Sequence, residues 1–304
     1  MRVARAPGEL EERERAVAIG TFDGVHLGHR RVLRAAVDAG LVATVVTFSP
    51  HPRTALGNRV ELLASLERRL ELLGEAGIEE TLVLEFTLDL ARLEPQEFAS
   101  RVLAPIGTRV VVAGDSFRFG RARAGDLGLL RELGFDVRPV PLVEGVSSSN
   151  IRKLLRAGDV ERAARLLGRP AEIEGTVVTG DARGGTLGFP TANLAADPEL
   201  LVPALGIYAG FAAGHRAAVS IGTNPHYGGE ELRIEAFLLD FAGDLYGRRL
   251  VVELWRRLRD ERAFASEEEL VAQIAHDVEQ TRLANRPLTS FRSPPAERCR
   301  ARRP

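Results

Sequence analysis

The stretch RAVAIGTFDGVHLGHRRVLRAA, residues 15–36, decides how the first half of the chain is read. An apolar run from Arg15 to Gly20 feeds a turn punctuated by Gly20, Gly24 and Gly28, and an amphipathic run beginning at His29 follows. A strand, a glycine turn and a helix in that order make the first step of a βαβ series. Such a turn brings backbone N–H groups and the positive end of a helix dipole to the carboxyl edge of the strand, where an anion is stabilised. His26 and His29 stand about one helical turn apart and can face the same group. Three uses are open to them: a metal, a packed core or a phosphate. A zinc site would need further ligands, and His51, His215, His226 and His276 show no metal-like spacing. Two histidines inside one glycine-punctuated turn weigh against a purely structural pair.

The neighbouring sequence repeats the pattern. LVATVVTF (41–48), TLVLEF (81–86), TRVVVAG (108–114) and FDVRPVPLV (135–143) read as strands, and HRRVLRAAVDAG, LLASLERRLELLGEAG and EPQEFASRVL between them have apolar residues at helical spacing. The series predicts a parallel sheet covered by helices on both faces, with ligands bound beyond the carboxyl ends of the strands. SSSNIRKLLRAGDVERAARLLGRP (147–170) predicts two helices, with Ser149 and Asp159 as N-caps and Gly158 and Gly168 as stops. Beyond Pro170 the strand-like runs GIYAGFAA, RAAVSIG, LRIEAFLLDF and RRLVVELWRRL follow one another with no helix between them, which predicts an antiparallel barrel. One helix is expected from Ser266, with Ser266 and Glu269 as a capping box and Leu270, Ile274 and Val278 packing across the barrel. The expected domains are 1–170 and 171–285, followed by a disordered, arginine- and proline-rich tail at 286–304.

Composition narrows the chemistry. The chain has 304 residues, 45% hydrophobic and 27% charged, which suits two soluble domains. Its formal charge of -1 is spread along the sequence, so a small molecule is a better partner than nucleic acid. No apolar leader or ~20-residue apolar span is present, so no membrane association is expected and the cytoplasm is the expected location. The lone Cys299 excludes an internal disulfide, and the lone Lys153 excludes a lysine-bearing phosphate loop. A second phosphate site is suggested by EGTVVTGDARGGTLGFPTANL (174–194), where glycines including Gly180, Gly184 and Gly188, together with Arg183, could approach a phosphate. Thr191 and Asn193 then offer hard oxygens to Mg2+ from one side of an extended strand. A plain glycine-rich hairpin is the alternative reading of this segment.

GTFDGVHLGH (20–29) resembles the His-x-Gly-His signature of the nucleotidyltransferase superfamily, and VVTFSPHPR (45–53), GDSFRFGRARAGD (114–126) and VSSSNIRKLL (146–155) resemble its flavin adenylyltransferase branch. The resemblance implies a Rossmann-like domain in which His26 and His29 stabilise a triphosphate. It also implies ATP contacts at Gly20, Phe22, Asp23, Gly24, Gly28, Ser116, Ser147, Ser148, Ser149 and Arg152. GTLGFPTANL, GIYAG, SIGTNP, IEAFLLDF and DLYGRRLVVELWRRLRDERAFAS resemble the riboflavin kinase family. That implies Mg-ATP at Thr191 and Asn193 and a base, Glu235, for the riboflavin 5'-hydroxyl. From residue 16 to about 283 the chain thus resembles the bacterial bifunctional flavin enzymes, which implies riboflavin, FMN and ATP as substrates, FAD as final product and Mg2+ in both steps. The sequence departs from the family's usual residues at Ser49, Ser116, Ser149, His226 and Phe237. A kinase with an impaired adenylyltransferase half and a flavin-binding protein without turnover are the alternatives.

Overall fold

A computed structural model describes residues 1–179, 189–226 and 229–287, with only the backbone of residues 224–226 and 229–231. Six parallel strands form the first sheet: β1 (Arg2–Ala4), β2 (Arg15–Ile19), β3 (Val42–Ser49), β4 (Glu80–Glu85), β5 (Thr108–Gly114) and β6 (Asp136–Val140), in the order β1-β4-β3-β2-β5-β6. All five expected strands are present. The sixth, β1, is too short to show a period and is held by its pairing with β4. Val17, Ile19, Val46, Leu82 and Val111 bury one face of the sheet against Phe98, Leu103 and Leu130. Ala16, Ala18, Val45, Val110 and Val112 bury the other against Leu33, Ala36, Leu72 and Leu73. Burial on both faces explains why these strands read as continuous apolar runs.

The chain leaves β2 through α1 (Leu27–Val37) toward β3 and β4, then crosses to β5 and β6 on the opposite side of β2. The loops after β2 and β5 therefore diverge, which opens a crevice at the carboxyl ends of these two strands. Helix α2 (Pro52–Ala55), α3 (Leu66–Glu75), α4 (Leu88–Arg92), α5 (Pro95–Phe98) and α6 (Leu127–Glu132) complete this half. α5 continues into a π-turn at Ala99–Leu103.

Helix α7 (Ser148–Arg156) is capped by Ser147 and not, as the sequence suggested, by Ser149. Ser147 has the extended backbone a cap requires, and its hydroxyl accepts from Asn150 N at 3.1 Å, whereas Ser149 already lies inside the first turn. Helix α8 (Val160–Leu167) starts at the cap Asp159 and ends at Gly168, whose φ of 72° is left-handed. Ile151, Leu155, Val160, Ala163 and Leu167 of these helices share one apolar cluster with the barrel interior that follows.

The barrel is closed and antiparallel, from β7 (Ala171–Val178), β8 (Ala192–Ala195), β9 (Gly206–Ala212), β10 (His215–His226), β11 (Gly229–Leu238) and β12 (Arg249–Arg259), in the order β10-β11-β8-β7-β12-β9. Val219, Ile221, Ile234, Ala236, Val252 and Leu254 alternate into its core. The C-terminal helix α9 (Glu267–Leu283) packs on β9 and β10 as expected, and polar residues beside the expected stripe are its most buried ones. Leu270, Ile274 and Val278 are only half-buried, while Asp277 and Thr281 are buried. The barrel wall beneath carries arginines: Arg259 holds the Asp277 carboxylate at 2.7 Å, and Arg216 donates to Thr281 O at 2.9 Å. The Ser266 hydroxyl accepts from Glu269 N, but the Glu269 carboxylate accepts from Ala265 N instead of closing a reciprocal box on Ser266. Arg286, first residue of the expected tail, grips Glu253; residues 288–304 with Cys299 lie outside the described residues.

Polar contacts join the halves. Arg68 on α3 holds Glu172 on β7 through two hydrogen bonds of 2.8 and 3.0 Å. Ser65 N and Arg249 both donate to Glu174, and Leu62 exchanges backbone hydrogen bonds with Glu199 and Leu201.

Candidate active sites

The loop between β2 and α1 is held in a shape few residues adopt. Phe22, Gly24 and Val25 have φ of 49°, 78° and 40°. A Cβ at Gly24 would approach Leu63 Cδ1 to 2.8 Å, so glycine is required there for space as well as for φ. α1 begins at Leu27, two residues earlier than the apolar pattern suggested, because His26 is its N-cap. His26 Nδ1 accepts from His29 N at 3.2 Å, which leaves the proton of the neutral ring on Nε2 as a donor. The two imidazoles stack at 3.6 Å, with Phe22 edge-on to His29 at 5.3 Å. Burial pushes His26 down to about 4 and His29 well below the ordinary histidine value, so both are neutral at pH 7. His29 Nδ1 is buried and has no hydrogen-bond partner among the described residues.

Asp23 joins this loop to α7. Its carboxylate pairs with Arg152 and accepts from Leu63 N at 2.8 Å, while its carbonyl accepts from Ser148 Oγ at 3.1 Å. Burial raises the pKa of Asp23, opposed chiefly by the charge of Arg152. Arg152 also donates to Glu61 O at 2.6 Å. The serine-arginine stretch and the histidine loop, over 120 positions apart in the chain, thus meet at one buried ion pair.

A cleft of about 750 Å³ opens beside them, within the ordinary range for a ligand site. Of the residues singled out from sequence, Gly20, Ser116, Ser148, Ser149 and Arg152 line it. Phe22, Asp23, Gly24, His26, Gly28, His29 and Ser147 do not; they form the loop and helix ends next to its wall. The cleft is further lined by Phe48, Phe86, Phe98, Phe117 and Phe119, and by Arg53, Arg118 and Arg123. These aromatic and cationic residues were not singled out individually. The signal for many of them was the alternation of phenylalanine and arginine in DSFRFGRAR, which places apolar rings and cations on one loop.

In the barrel, Asn193 on β8 pairs directly with Glu235 on β11, and Glu235 pairs with Ser220 on β10. Directly opposite residues share a face of the sheet, and Thr191 immediately precedes β8. Ile234, Ala236 and Leu194 are buried in the core, so Glu235 and Asn193 lie on the outer face of the barrel. Phe237, two positions on, meets Phe189 edge-on at 5.4 Å. Gly180, Arg183, Gly184 and Gly188 lie outside the described residues. The hydroxyl and amide oxygens of Thr191 and Asn193 are the hard, neutral donors that Mg2+ accepts beside substrate phosphates, and a carboxylate stands across the strand pair from them. Among the described residues no group of three or more His, Cys, Asp and Glu could hold a metal by itself.

Comparison with known proteins gives each half of the chain its own family. A family model described as FAD synthetase matches residues 9–151, and one described as riboflavin kinase matches residues 167–284. A bifunctional riboflavin kinase/FMN adenylyltransferase of Listeria monocytogenes is 35% identical over 90% of this chain and 93% of its own. One from Escherichia coli K12 is 38% identical over 86% and 90%. A crystal structure from Streptococcus pneumoniae, described as a macrolide-efflux protein, superposes with a TM-score of 0.84 at 33% identity and covers 93% of this chain and 99% of its own. That description names a different activity; in the present chain no helix of the described residues is long and apolar enough to cross a membrane.

Proposed function

The chain belongs to the bifunctional riboflavin kinase/FMN adenylyltransferase family, and on that premise we propose how its residues divide the two reactions. It phosphorylates riboflavin with ATP to FMN and then transfers AMP from ATP to FMN, giving FAD and pyrophosphate. The proposed domains are 1–170 for adenylylation and 171–285 for phosphorylation, followed by a tail at 286–304. Cytoplasmic location, without nucleic-acid or membrane partners, is part of the same proposal.

In the barrel, Glu235 orients the riboflavin 5'-hydroxyl and takes its proton as the oxygen attacks the γ-phosphorus. The observation that supports this assignment is the Asn193–Glu235 register pair, which brings a carboxylate and an amide oxygen onto one face of adjacent strands. Thr191 and Asn193 would hold Mg2+, which when bound neutralises charge on the transferred phosphate.

In the N-terminal domain the cleft accommodates FMN and ATP, its phenylalanines offering apolar rings to the flavin and its arginines charge to phosphate. His26 and His29 donate hydrogen bonds to the triphosphate as charge grows on the leaving pyrophosphate. A neutral imidazole supplies one N–H, and the helix N-terminus adds backbone donors without any covalent nucleophile. Gly20, Ser116, Ser147, Ser148, Ser149 and Arg152 complete the phosphate surroundings. Phe22, Asp23, Gly24 and Gly28 act through the loop's shape, Asp23 by holding Arg152.

Incubation of the chain with riboflavin, ATP and Mg2+, followed by separation of flavins, tests the division. His29→Ala should accumulate FMN and Glu235→Gln should leave riboflavin unchanged; the opposite pattern would reject the assignment.

A further inference from the structure

We infer that Arg169, in the segment that leads into the kinase barrel, is a positioning residue for the adenylyltransferase reaction and fixes the backbone of the His26–His29 loop. The inference rests on the proposal that these histidines serve the triphosphate.

Successive carbonyls of the loop are each held by a donor. Thr21 O accepts from Arg69 at 2.7 Å, Phe22 O from Val25 N at 3.0 Å and Asp23 O from Ser148 Oγ at 3.1 Å. Gly24 O accepts from Arg169 Nη1 at 2.8 Å, and Val25 O from Arg30 Nε at 3.4 Å. Positive φ at Phe22 and Val25 is unfavourable for residues with a side chain, and such a backbone persists only where its surroundings over-determine it. Arg69, Ser148 and Arg30 fall within the FAD synthetase match at 9–151. Arg169 falls outside it, within the riboflavin kinase match at 167–284.

The same junction packs on the loop sterically. Gly168 lies so close to Leu27, the first residue of α1, that any Cβ at 168 would overlap the leucine side chain. Arg169 is itself only 8% exposed and is tied at 3.5 Å to Glu172 on β7, which also receives Arg68. A continuous path thus runs from the first barrel strand through one guanidinium to the Gly24 carbonyl, two residues before the capping His26. Without that donor the Gly24–Val25 peptide is held only through the Val25 N to Phe22 O bond, so the His26 cap and the imidazole stack that follow it are less firmly placed.

Steady-state kinetics of the full chain test this, with FMN and ATP supplied for adenylylation and riboflavin and ATP for the kinase on the same preparations. Arg169→Met should lower adenylylation kcat by roughly 10²-fold, as expected for a misplaced donor, leaving KM for FMN and the kinase reaction unchanged. Arg169→Lys, whose ammonium can still donate to Gly24 O, should recover most of the loss. If Arg169→Met fails to fold, Arg169→Gln takes its place with the same expectation. Normal adenylylation in Arg169→Met beside a His29→Ala enzyme that has lost it overturns the inference alone. A parallel fall in both activities that lysine does not rescue reduces Arg169 to general packing and also overturns it. Normal FAD formation by His29→Ala overturns the reading beneath it, and the inference with it.

Discussion

The two halves place their proposed site residues by opposite means. In the N-terminal half they depend on backbone: a strand-to-helix loop most of whose carbonyls are held by donors from other segments, two helix N-termini, and buried charges that bind distant segments together. In the barrel they are side chains placed by register, with Asn193 and Glu235 opposite each other on adjacent strands whose buried residues alternate into the core. The difference teaches where each half is vulnerable. The first should tolerate exchange of one hydroxyl for another but not a displaced loop; the second should hold its shape while depending on individual atoms.

The largest effect that sharpens this contrast is Glu235→Gln, expected to lower FMN formation by roughly 10²- to 10⁴-fold while FAD formation from supplied FMN continues. Initial rates for both reactions check it, and an equal loss in both would break the contrast. Next, Asp23→Ala leaves Arg152 buried without its carboxylate and should cost about 3–5 kcal/mol in urea unfolding. A negligible cost would mean that this ion pair does not join the two N-terminal segments.

Acid should act on the first half as well. Unfolded His26 binds its proton near the ordinary value of 6.5, while the folded group binds only near 4. The unfolded state therefore holds more protons between those limits, so stability falls as pH drops through that window, by up to about 3 kcal/mol. His51 is pushed down to about 4 by burial and adds to the slope. His26→Gln should therefore give a shallower loss of Tm between pH 6.5 and 4, and an unaltered slope would contradict the buried, neutral ring. The smallest effect belongs to the barrel. Asp277→Ala, which leaves the Arg259 guanidinium at a partly open site, should cost about 1–3 kcal/mol and spare adenylylation; a loss of adenylylation would place α9 in the wrong half.

What was legible follows from range. The five strand runs and the barrel alternation are local patterns, and each is present. GTFDGVHLGH announces a strand, a turn and a helix because its glycines meet local needs, as the left-handed φ of 78° at Gly24 shows. The caps were harder, since Ser147, Ser148 and Ser149 are chemically alike and only backbone geometry chooses among them. Least legible were contacts between distant segments. Nothing local in HDVEQT says that Asp277 faces an arginine on the barrel wall, so an apolar stripe was the natural expectation for α9. Nor does Asp23, read beside two histidines as a phosphate neighbour, disclose that Arg152 and Leu63 occupy its carboxylate.

The central claim is that one chain carries two chemically separate sites, and mixing two full-length variants tests it most directly. Glu235→Gln removes the proposed kinase base and His29→Ala a proposed triphosphate donor, so neither alone should convert riboflavin to FAD at an appreciable rate. Together, with riboflavin, ATP and Mg2+, the His29→Ala chains should release FMN that the Glu235→Gln chains adenylylate, and FAD should accumulate. A mixture that yields no more FAD than the two variants measured apart, although supplied FMN is still adenylylated, would contradict two separate sites linked by free FMN.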